Sequence, residues 1–564
     1  MSTNMKEIEF QAASYEQWKE QAVHALKGKP FESLFTKTIE GVTLEPLYTE
    51  EMLVEKLGAQ LEKQVAAIRS LSATNGLQIA QQITGDSPDL FFSHLEESLS
   101  RGNKVITIDS RLPFSIDRQM VAKLSNYLTE YSFKFIVENG NDPLLTVFDA
   151  IEESKRENVK GFIITKGAID LKGYPNVRTC GANTIPYHNE GANAVQELAL
   201  ALALAAKQLK TADSYEVFAS KFFVNFAIDT QFFAEIAKLR AFKVLWKAFA
   251  AGAGVQAAAV PIVAETSVRS FSKVDVYVNL LRAGNEAFAG AIGGADVFTV
   301  HPHDVLTKPT ATSTRIAQNA LLVIKEESQV LNVLDPAGGS YFIESLTADY
   351  VKAAWALFLE IEEAGGIDAY KDSISAQIAE VYKQRITEVE KRKHSLIGTN
   401  IYANPVDELP VDENPHFREV KRLAIPFENL RKEFAAANAK IAILTYGELK
   451  NFKPRADFVA GFFNTAGIQP EQSGVLDTID AAKAWLAQAD ADYVCVAATD
   501  EDTKELIPAL LADKPAHIVL DAAGRFKEEA DTWLSQGLNG FIFAGQNIIE
   551  KLKAVTASMK EVQR

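Results

Sequence analysis

Three short apolar runs decide the fold of this chain: Val105-Ile-Thr-Ile-Asp109, Phe133-Lys-Phe-Ile-Val-Glu138 and Gly161-Phe-Ile-Ile-Thr165. They show little alternation of apolar and polar residues, which is typical of parallel strands that are covered on both faces. Two weaker runs, at 177–181 and 296–300, extend the series. The sequence therefore predicts an α/β protein that is built on a parallel sheet.

Helical patterns lie between these runs, for example at 232–241 and 320–327. Repeated strand–helix units across residues 38–399 predict a (β/α)8 barrel of the TIM type. A doubly wound open sheet is the alternative, and the alternation by itself does not choose between the two.

Three further segments complete the predicted organisation. Residues 1–37 form an N-terminal arm, which either wraps a partner or packs on its own barrel. Residues 400–436 contain four prolines in a charged stretch and predict an extended, Pro-rich linker, because proline fixes φ and removes a backbone donor. From 437 to 564 a second βαβ pattern predicts a flavodoxin-like doubly wound domain.

Composition excludes several classes of function. The formal net charge of −16 argues against nucleic-acid binding, since no broad basic face would neutralise phosphates. Two distant cysteines, Cys180 and Cys495, provide no disulfide framework and indicate a reducing, cytoplasmic setting. The most apolar helical stretch, near 192–206, is too short to span a bilayer, so we expect no membrane partner. No phosphate-binding loop, nucleophile elbow or zinc-protease motif occurs.

Four sequence motifs occur in this order along the chain: Asp275-Val-Tyr-Val-Asn-Leu-Leu-Arg282, Thr312-Ser-Thr-Arg-Ile-Ala-Gln-Asn319, Asp335-Pro-Ala-Gly-Gly-Ser-Tyr341 and Ile361-Glu-Glu-Ala-Gly-Gly366. This order resembles the barrel of adenosylcobalamin-dependent acyl-CoA mutases, above all the methylmalonyl-CoA mutase family. The resemblance favours the barrel over the open sheet. The resemblance also covers the order of domains, because the family has an arm, a barrel, a linker and a flavodoxin-like domain. In this chain the last of these resembles a degenerate cobalamin-binding domain.

The resemblance also implies where cobalamin would bind. In the family, a loop of type Asp-x-His-x-x-Gly follows the first strand of the terminal domain, and its histidine ligates cobalt. The corresponding loop here contains no histidine. The residues at the cofactor-binding positions of this degenerate loop are Leu449, Lys450, Asn451, Phe452 and Arg455. His517 begins a strand, which is the wrong end for a ligand in an open α/β sheet. We therefore expect no cofactor on this chain.

The barrel retains only part of the family's active-site pattern. Tyr187 and His188 resemble the Tyr-His of the catalytic chain, in which the histidine hydrogen-bonds the thioester carbonyl. They are vestigial candidates, and we favour a core hydrogen-bonding role for His188 because its companions are missing. Arg269 is a weak substrate-binding candidate, although we favour a lone surface arginine. His301-Pro-His303-Asp304 has metal-like spacing, but the family has a bare turn there, and we predict no metal site.

Taken together, the resemblance implies the small (beta), non-catalytic subunit of a heterodimeric bacterial mutase. A homologous large subunit would bind adenosylcobalamin and the acyl-CoA, and the pair would interconvert (R)-methylmalonyl-CoA and succinyl-CoA in propanoate metabolism. One alternative is an independently active cobalamin-dependent mutase with atypical cofactor binding. Another is a barrel enzyme that has no role for cobalamin.

Overall fold

The computed structural model describes residues 13–72, 76–167 and 169–562. The first twelve residues of the predicted arm lie outside this range. Within the described residues, no helix is long and apolar enough to cross a membrane.

The strands, labelled in chain order, are β1 (Thr36–Lys37), β2 (Thr43–Leu44), β3 (Gln78–Gln82), β4 (Val105–Asp109), β5 (Ser132–Ile136), β6 (Gly161–Ile164), β7 (Val177–Arg178), β8 (Cys180–Asn183), β9 (Phe222–Ile228), β10 (Ile262–Thr266), β11 (Val297–Thr299), β12 (Ile441–Thr445), β13 (Glu471–Gln472), β14 (Tyr493–Ala497), β15 (Val519–Ala523) and β16 (Gly540–Ile542).

The helices are α1 (Tyr15–Ala25), α2 (Glu50–Leu57), α3 (Gln60–Ser70), α4 (Pro88–Ser100), α5 (Arg118–Leu128), α6 (Ile185–Glu190), α7 (Ala194–Leu209), α8 (Tyr215–Lys221), α9 (Phe232–Gly252), α10 (Val278–Gly293), α11 (Ala311–Glu327), α12 (Tyr341–Glu363), α13 (Lys371–Glu390), α14 (Ile425–Ala437), α15 (Leu449–Asn464), α16 (Ile479–Gln488), α17 (Asp500–Ala512), α18 (Ala530–Ser535) and α19 (Ile548–Val562).

Strands β3 to β11 form a parallel barrel. Neighbouring strands pair in chain order from β3 to β7 and from β8 to β11, and β11 pairs with β3 through Val297 and Gln78. Strands β7 and β8 are separated only by Thr179; β7 pairs with β6 and β8 pairs with β9. They act as one interrupted strand, so the barrel has eight strand positions. The predicted TIM-type barrel is confirmed, and the open sheet is not.

The barrel has an inner core and an outer core. The inner cluster consists of Ala80, Val105, Ile164, Phe223, Val263 and Val297, and Ile136 and Phe162 pack against it. The residues adjacent in sequence to these belong to the outer clusters beneath the helices, as expected when side chains alternate between the two faces of a strand. The rings of Phe162 and Phe223 lie 5.1 Å apart. A Cβ at Gly181 would come within 2.7 Å of the Phe223 ring, so the glycine gives this ring its space.

The second sheet has the strand order β13-β12-β14-β15-β16, and all its pairs are parallel. Numbered within this sheet alone the order is 2-1-3-4-5, which is the flavodoxin-like order. The predicted flavodoxin-like fold is therefore confirmed.

The predicted linker needs a correction. Residues 400–414 contain little regular structure, but α14 occupies the second half of the segment. Phe427, Leu430 and Phe434 on α14 are fully buried in the core of the C-terminal unit. The prolines misled the prediction because Pro426 stands in the first turn of α14, where its missing N–H has no partner to lose. Where the domain boundaries fall stays a prediction.

Candidate functional site

The carboxyl ends of the barrel strands are where TIM-barrel proteins place their sites. The predicted candidate His188 lies there, on the short helix α6, which follows β8 directly. Its ring is fully buried and both nitrogens are engaged: Nδ1 lies 2.8 Å from Glu197 Oε1, and Nε2 lies 2.8 Å from Ser267 Oγ. Burial, together with the positive charge of Arg269, lowers the pKa of His188 to about 4. The imidazole is therefore neutral, with Nδ1–H donating to Glu197 and Nε2 accepting from Ser267.

Arg269 lies beside His188, and the interpretation as a surface arginine is wrong. Its side chain is buried, and Nε and Nη2 donate to Asp229 Oδ2 at 2.9 and 2.6 Å. Its Nη1 donates to the backbone oxygens of His188 and Ala192 at 3.0 and 2.9 Å. Burial alone would raise the pKa of Asp229, but Arg269 holds it well below its usual value. The guanidinium thus binds groups of this chain and links the carboxyl ends of β9 and β10.

The sequence did not reveal Asp229, nor three further residues of this cluster, Glu197, Lys238 and Glu235. Glu197 on α7 accepts from His188 and lies 3.4 Å from Lys238 Nζ, which also pairs with Glu235 at 2.5 Å. Burial would raise the pKa of Glu197, but the charge of Lys238 and the contact with His188 hold it below its usual value. The sequence signal that could have indicated Glu197 was a carboxylate in a largely apolar helix. A buried charge requires a partner, so this residue had to belong to a polar cluster. The other predicted candidate, Tyr187, is half-buried and packs against the outer core.

A second polar layer crosses the inside of the barrel. Lys134 is fully buried, with Nζ 3.1 Å from Glu265 Oε2 and 2.8 Å from Thr299 Oγ1. The ring of His301 lies 3.3 Å from the same carboxylate. Burial would raise the pKa of Glu265, but Lys134 and His301 bring it down to about 2. Together with the inner cluster, this ion pair fills the barrel axis.

His301, His303 and Asp304 do not converge on a common point. His301 contacts Glu265, the His303 ring packs against Tyr277 at 5.2 Å between centroids, and Asp304 Oδ2 accepts from the backbone of Thr310. Among the residues that the structure describes, no group of three or more His, Cys, Asp or Glu side chains could hold a metal ion.

Residues 413–423, here called the mouth strap, lie across the carboxyl ends of the barrel strands. The side chain of Val420 is buried in the outer core, and the ring of Phe417 packs edge-on against His301, with 5.1 Å between centroids. Backbone N–H groups of the strap donate to backbone oxygens of the barrel: Asn414 to Leu306 at 2.9 Å, Lys421 to Asn189 at 3.0 Å and Leu423 to Arg269 at 2.9 Å.

Side-chain contacts also hold the strap. His416 Nδ1 lies 3.0 Å from Asp109 Oδ2, at the carboxyl end of β4, and Lys421 Nζ lies 2.6 Å from Glu190 Oε2. Burial would raise the pKa of Asp109, but Arg111 and His416 hold it below its usual value. The strap therefore occupies the end of the barrel at which a substrate would have to reach His188.

A cavity of about 370 Å³ opens at the opposite, amino-terminal end of the barrel. Gln78, Arg178 and Asp296 contribute to its wall, together with Phe162 and Val297. Its lining includes none of the site residues predicted from the sequence. The strand ends that carry those candidates and this cavity thus lie on different faces of the barrel.

In the flavodoxin-like unit, the predicted degenerate loop is a helix, which is a second correction. Helix α15 begins at Leu449, and Phe452, Ala456 and Val459 on its inner face are buried in the core. This apolar spacing continues the helix through Pro454, whose side chain lies on the exposed face. Leu449, Lys450 and Asn451 are exposed in the first turn, and Lys450 pairs with Glu448 at 2.7 Å.

Arg455 crosses the carboxyl edge of this sheet, where flavodoxin-like proteins bind their ligands. Its Nη1 donates to the backbone oxygen of Ala523 at the end of β15, at 3.1 Å, and its Nη2 pairs with Asp500 at the start of α17. A Cβ at Gly524 would meet the Phe526 ring at 2.7 Å and Arg455 Nη1 at 3.3 Å. The crevice between the carboxyl ends of β14 and β15 is therefore filled by the protein's own side chains.

The closed barrel and the flavodoxin-like sheet together define a two-part α/β protein, and the family whose model matches it is a family of isomerases. The family model for methylmalonyl-CoA mutase matches residues 165–446, which is half of the chain. The chain belongs to the methylmalonyl-CoA mutase family.

Similar proteins agree with this assignment. The chain is 29% identical to a methylmalonyl-CoA mutase small subunit of Porphyromonas gingivalis, over 97% of both chains. It is 31% identical to a small subunit of Streptomyces virginiae, over 68% of this chain and 65% of the other. A methylmalonyl-CoA mutase of Cereibacter sphaeroides is 26% identical over 76% of this chain and 70% of its own length.

Proposed function

We propose that this chain is the small, non-catalytic subunit of a two-chain methylmalonyl-CoA mutase in the cytoplasm. It pairs with a homologous large chain that binds adenosylcobalamin and the acyl-CoA substrate. The pair interconverts (R)-methylmalonyl-CoA and succinyl-CoA, and this chain contributes stability and shape to the complex. The observation that carries the proposal is α15, because the expected position of a cobalt-ligating histidine is taken by a helix whose Phe452 is 3% exposed in the core.

The residues present do not fit cobalamin. The histidine-ligated binding that the resemblance implies would need an imidazole that is oriented by a partner, and the first turn of α15 offers Leu449, Lys450, Asn451 and Phe452 instead. The bridge from Arg455 to Ala523 and Asp500 closes the crevice that a cofactor tail would enter. We therefore assign adenosylcobalamin to the large chain.

The barrel also favours a non-catalytic role. A catalytic histidine must present a donor to the thioester oxygen, and both nitrogens of His188 already have partners within the protein. Phe162 and Phe223 fill the barrel axis, and the mouth strap covers the strand ends. We infer that Tyr187, His188 and Arg269 now support the structure of the barrel.

The N-terminal arm supports a role in assembly. Helix α1 has a capping box at Ser14 and Gln17, yet none of its residues is buried. Its Trp18 packs on Phe31, with 6.1 Å between ring centroids. An isolated helix of this length is marginally stable in water, so we propose that it gains further contacts from the partner chain.

The test is to purify this chain with and without the large mutase chain encoded in the same genome. Each sample is incubated with adenosylcobalamin, desalted, and measured for visible absorbance and for mutase activity; the large chain alone is the reference. We expect the lone chain to retain no corrin and to be inactive, and the pair to show both properties. Stoichiometric corrin and turnover by the lone chain would instead establish an independent mutase and return His188 to the active site.

A further inference from the structure

An apolar patch lies on the rim of the barrel at the start of α10. It consists of four large side chains, Tyr277, Leu281, Ile397 and Tyr402, here called the rim patch. Their exposed fractions are 70%, 73%, 44% and 79%. Single exposed apolar residues are ordinary, but a group of this size on one surface marks a contact site.

Two separate chain segments hold the rim patch together. Arg282 Nη2 donates to the backbone oxygen of Ile397 at 2.8 Å, which joins α10 to the segment that carries Ile397 and Tyr402. A Cβ at Gly398 would lie only 2.5 Å from the carboxylate of Asp275, so the two segments are in close contact. The patch is thus a built surface, with α10 on one side and a tight turn on the other.

The backbone at this surface is strained. Tyr402 has φ of 52° and Asp275 has φ of 49°, both in the left-handed region. A large aromatic side chain seldom adopts this conformation, which is energetically unfavourable. At Tyr402 the strained residue is also the most exposed member of the rim patch. Strain retained at an exposed aromatic residue points to a role outside the folding of this chain.

The helix face beside the patch leaves room for a neighbour. Gly284 follows Leu281 by three residues and lies on the same face of α10. A Cβ at Gly284 would meet nothing within 4 Å, so no contact within the chain explains the glycine. Glycine inside a helix is destabilising relative to alanine, and its lack of a side chain permits close approach by another backbone.

Charge selects the kind of partner. The segment that starts at Tyr402 continues into the exposed acids Glu408 and Asp412, whereas Glu413 after them already pairs with Lys273 and Arg418, each at 3.1 Å. A second copy of this chain, with its formal net charge of −16, would bring the same acidic segment to the interface. Like charges oppose self-association, so the rim patch is complementary to an apolar surface with basic residues around it.

We propose that the rim patch, which is apolar, contains two tyrosines and has acidic residues beside it, docks the large mutase chain at an apolar surface with basic residues around it. This inference rests on the proposed function and adds the place of contact. Tyrosine is enriched among the residues that dominate binding energy, and two of the four members of the patch are tyrosines.

The experiment uses the full chain and the purified large mutase chain from the same genome. Their dissociation constant is measured by titration calorimetry for the wild type and for the variants Leu281→Asp and Tyr402→Ser. Val217→Asp is the matched control, because Val217 is also an exposed apolar residue on a barrel helix, α8, with 49% of its surface exposed. Circular dichroism checks that every variant is folded.

We expect each patch variant to bind the large chain at least ~30-fold more weakly and the control to bind as the wild type does. If the wild type binds and the patch variants bind equally well, the rim patch is not the interface, although the proposed function stands. If the wild type itself does not bind, the proposed function fails and this inference with it. If the wild type forms a homodimer that Leu281→Asp dissociates, the occupant is a second copy and the choice of the large chain is overturned.

Discussion

The buried imidazole of His188 makes a prediction about stability against pH. Its pKa is lowered from 6.5 to about 4 in the folded chain. As pH falls below 6.5 the unfolded imidazole takes up a proton, whereas the folded one stays neutral until about pH 4. This contribution to stability is therefore fully present above pH 6.5 and is lost as pH falls through 4. At about 1.4 kcal/mol per pKa unit, the loss amounts to about 3 kcal/mol.

The measurement is the free energy of unfolding in urea, for the wild type and for His188→Gln, from about pH 7.5 to about pH 4. Glutamine keeps hydrogen-bonding capacity at this position but does not titrate. Glu197 and Asp229, which face the ring, have pKa values below their usual range and stay charged over most of this window. We expect the wild type to lose about 3 kcal/mol more than the variant over this range.

Equal losses in the two proteins would refute the reasoning. They would mean that His188 titrates in the folded chain near its ordinary pKa. Its ring would then be accessible to water and not locked between Glu197 and Ser267. In that case the Nε2 atom could serve a ligand, and the interpretation as a catalytic histidine would regain support.

Three further predictions follow from buried contacts. Arg269→Met should lower the free energy of unfolding by about 3–5 kcal/mol, because it leaves the Asp229 carboxylate buried without its partner. Urea unfolding should show that the double variant with Asp229→Asn recovers part of this loss. A single variant as stable as the wild type would contradict this prediction. Lys551→Met should destabilise the flavodoxin-like unit by a similar ~3–5 kcal/mol, since Asp521 is fully buried beside it; unchanged thermal unfolding would exclude a structural ion pair. Phe417→Ala should speed hydrogen exchange across the mouth strap by about 10-fold, through loss of the ring contact with the barrel, and unaltered exchange in mass spectrometry would show that the ring does not hold the strap.

Much of the fold was predictable, because the buried strands have a strong local pattern. Val105 to Asp109 is a strand with the predicted bounds, and all five of its residues are buried. Closure of the barrel was not predictable from these runs, since it depends on pairing between β3 and β11, more than 200 residues apart in sequence. Helix α14 was missed because Pro426 in a first turn and proline in an extended segment look alike in sequence.

The site was less predictable than the fold. The resemblance to a known motif identified His188 as a candidate. Its hydrogen-bond partners Glu197 and Ser267, which fix the position of its ring, lie outside that motif. Arg269 was interpreted as exposed because its partner Asp229 lies 40 residues earlier. Whether a charged side chain is paired inside a fold depends on contacts between distant segments, which a single sequence does not display.

The filled interior and the exposed rim patch have a common physical explanation under the proposed function. A route for a ligand along the barrel axis would leave unfilled volume, and each 100 Å³ of cavity costs roughly 2 kcal/mol. A chain that binds no substrate can recover this stability by placing rings such as Phe162 and Phe223 on the axis. A chain that serves a partner still needs a surface, and strain at Tyr402 is tolerable when the core is well packed. A covered carboxyl-terminal mouth of the barrel and a strained, exposed aromatic residue are therefore both consistent with a subunit that acts through contact.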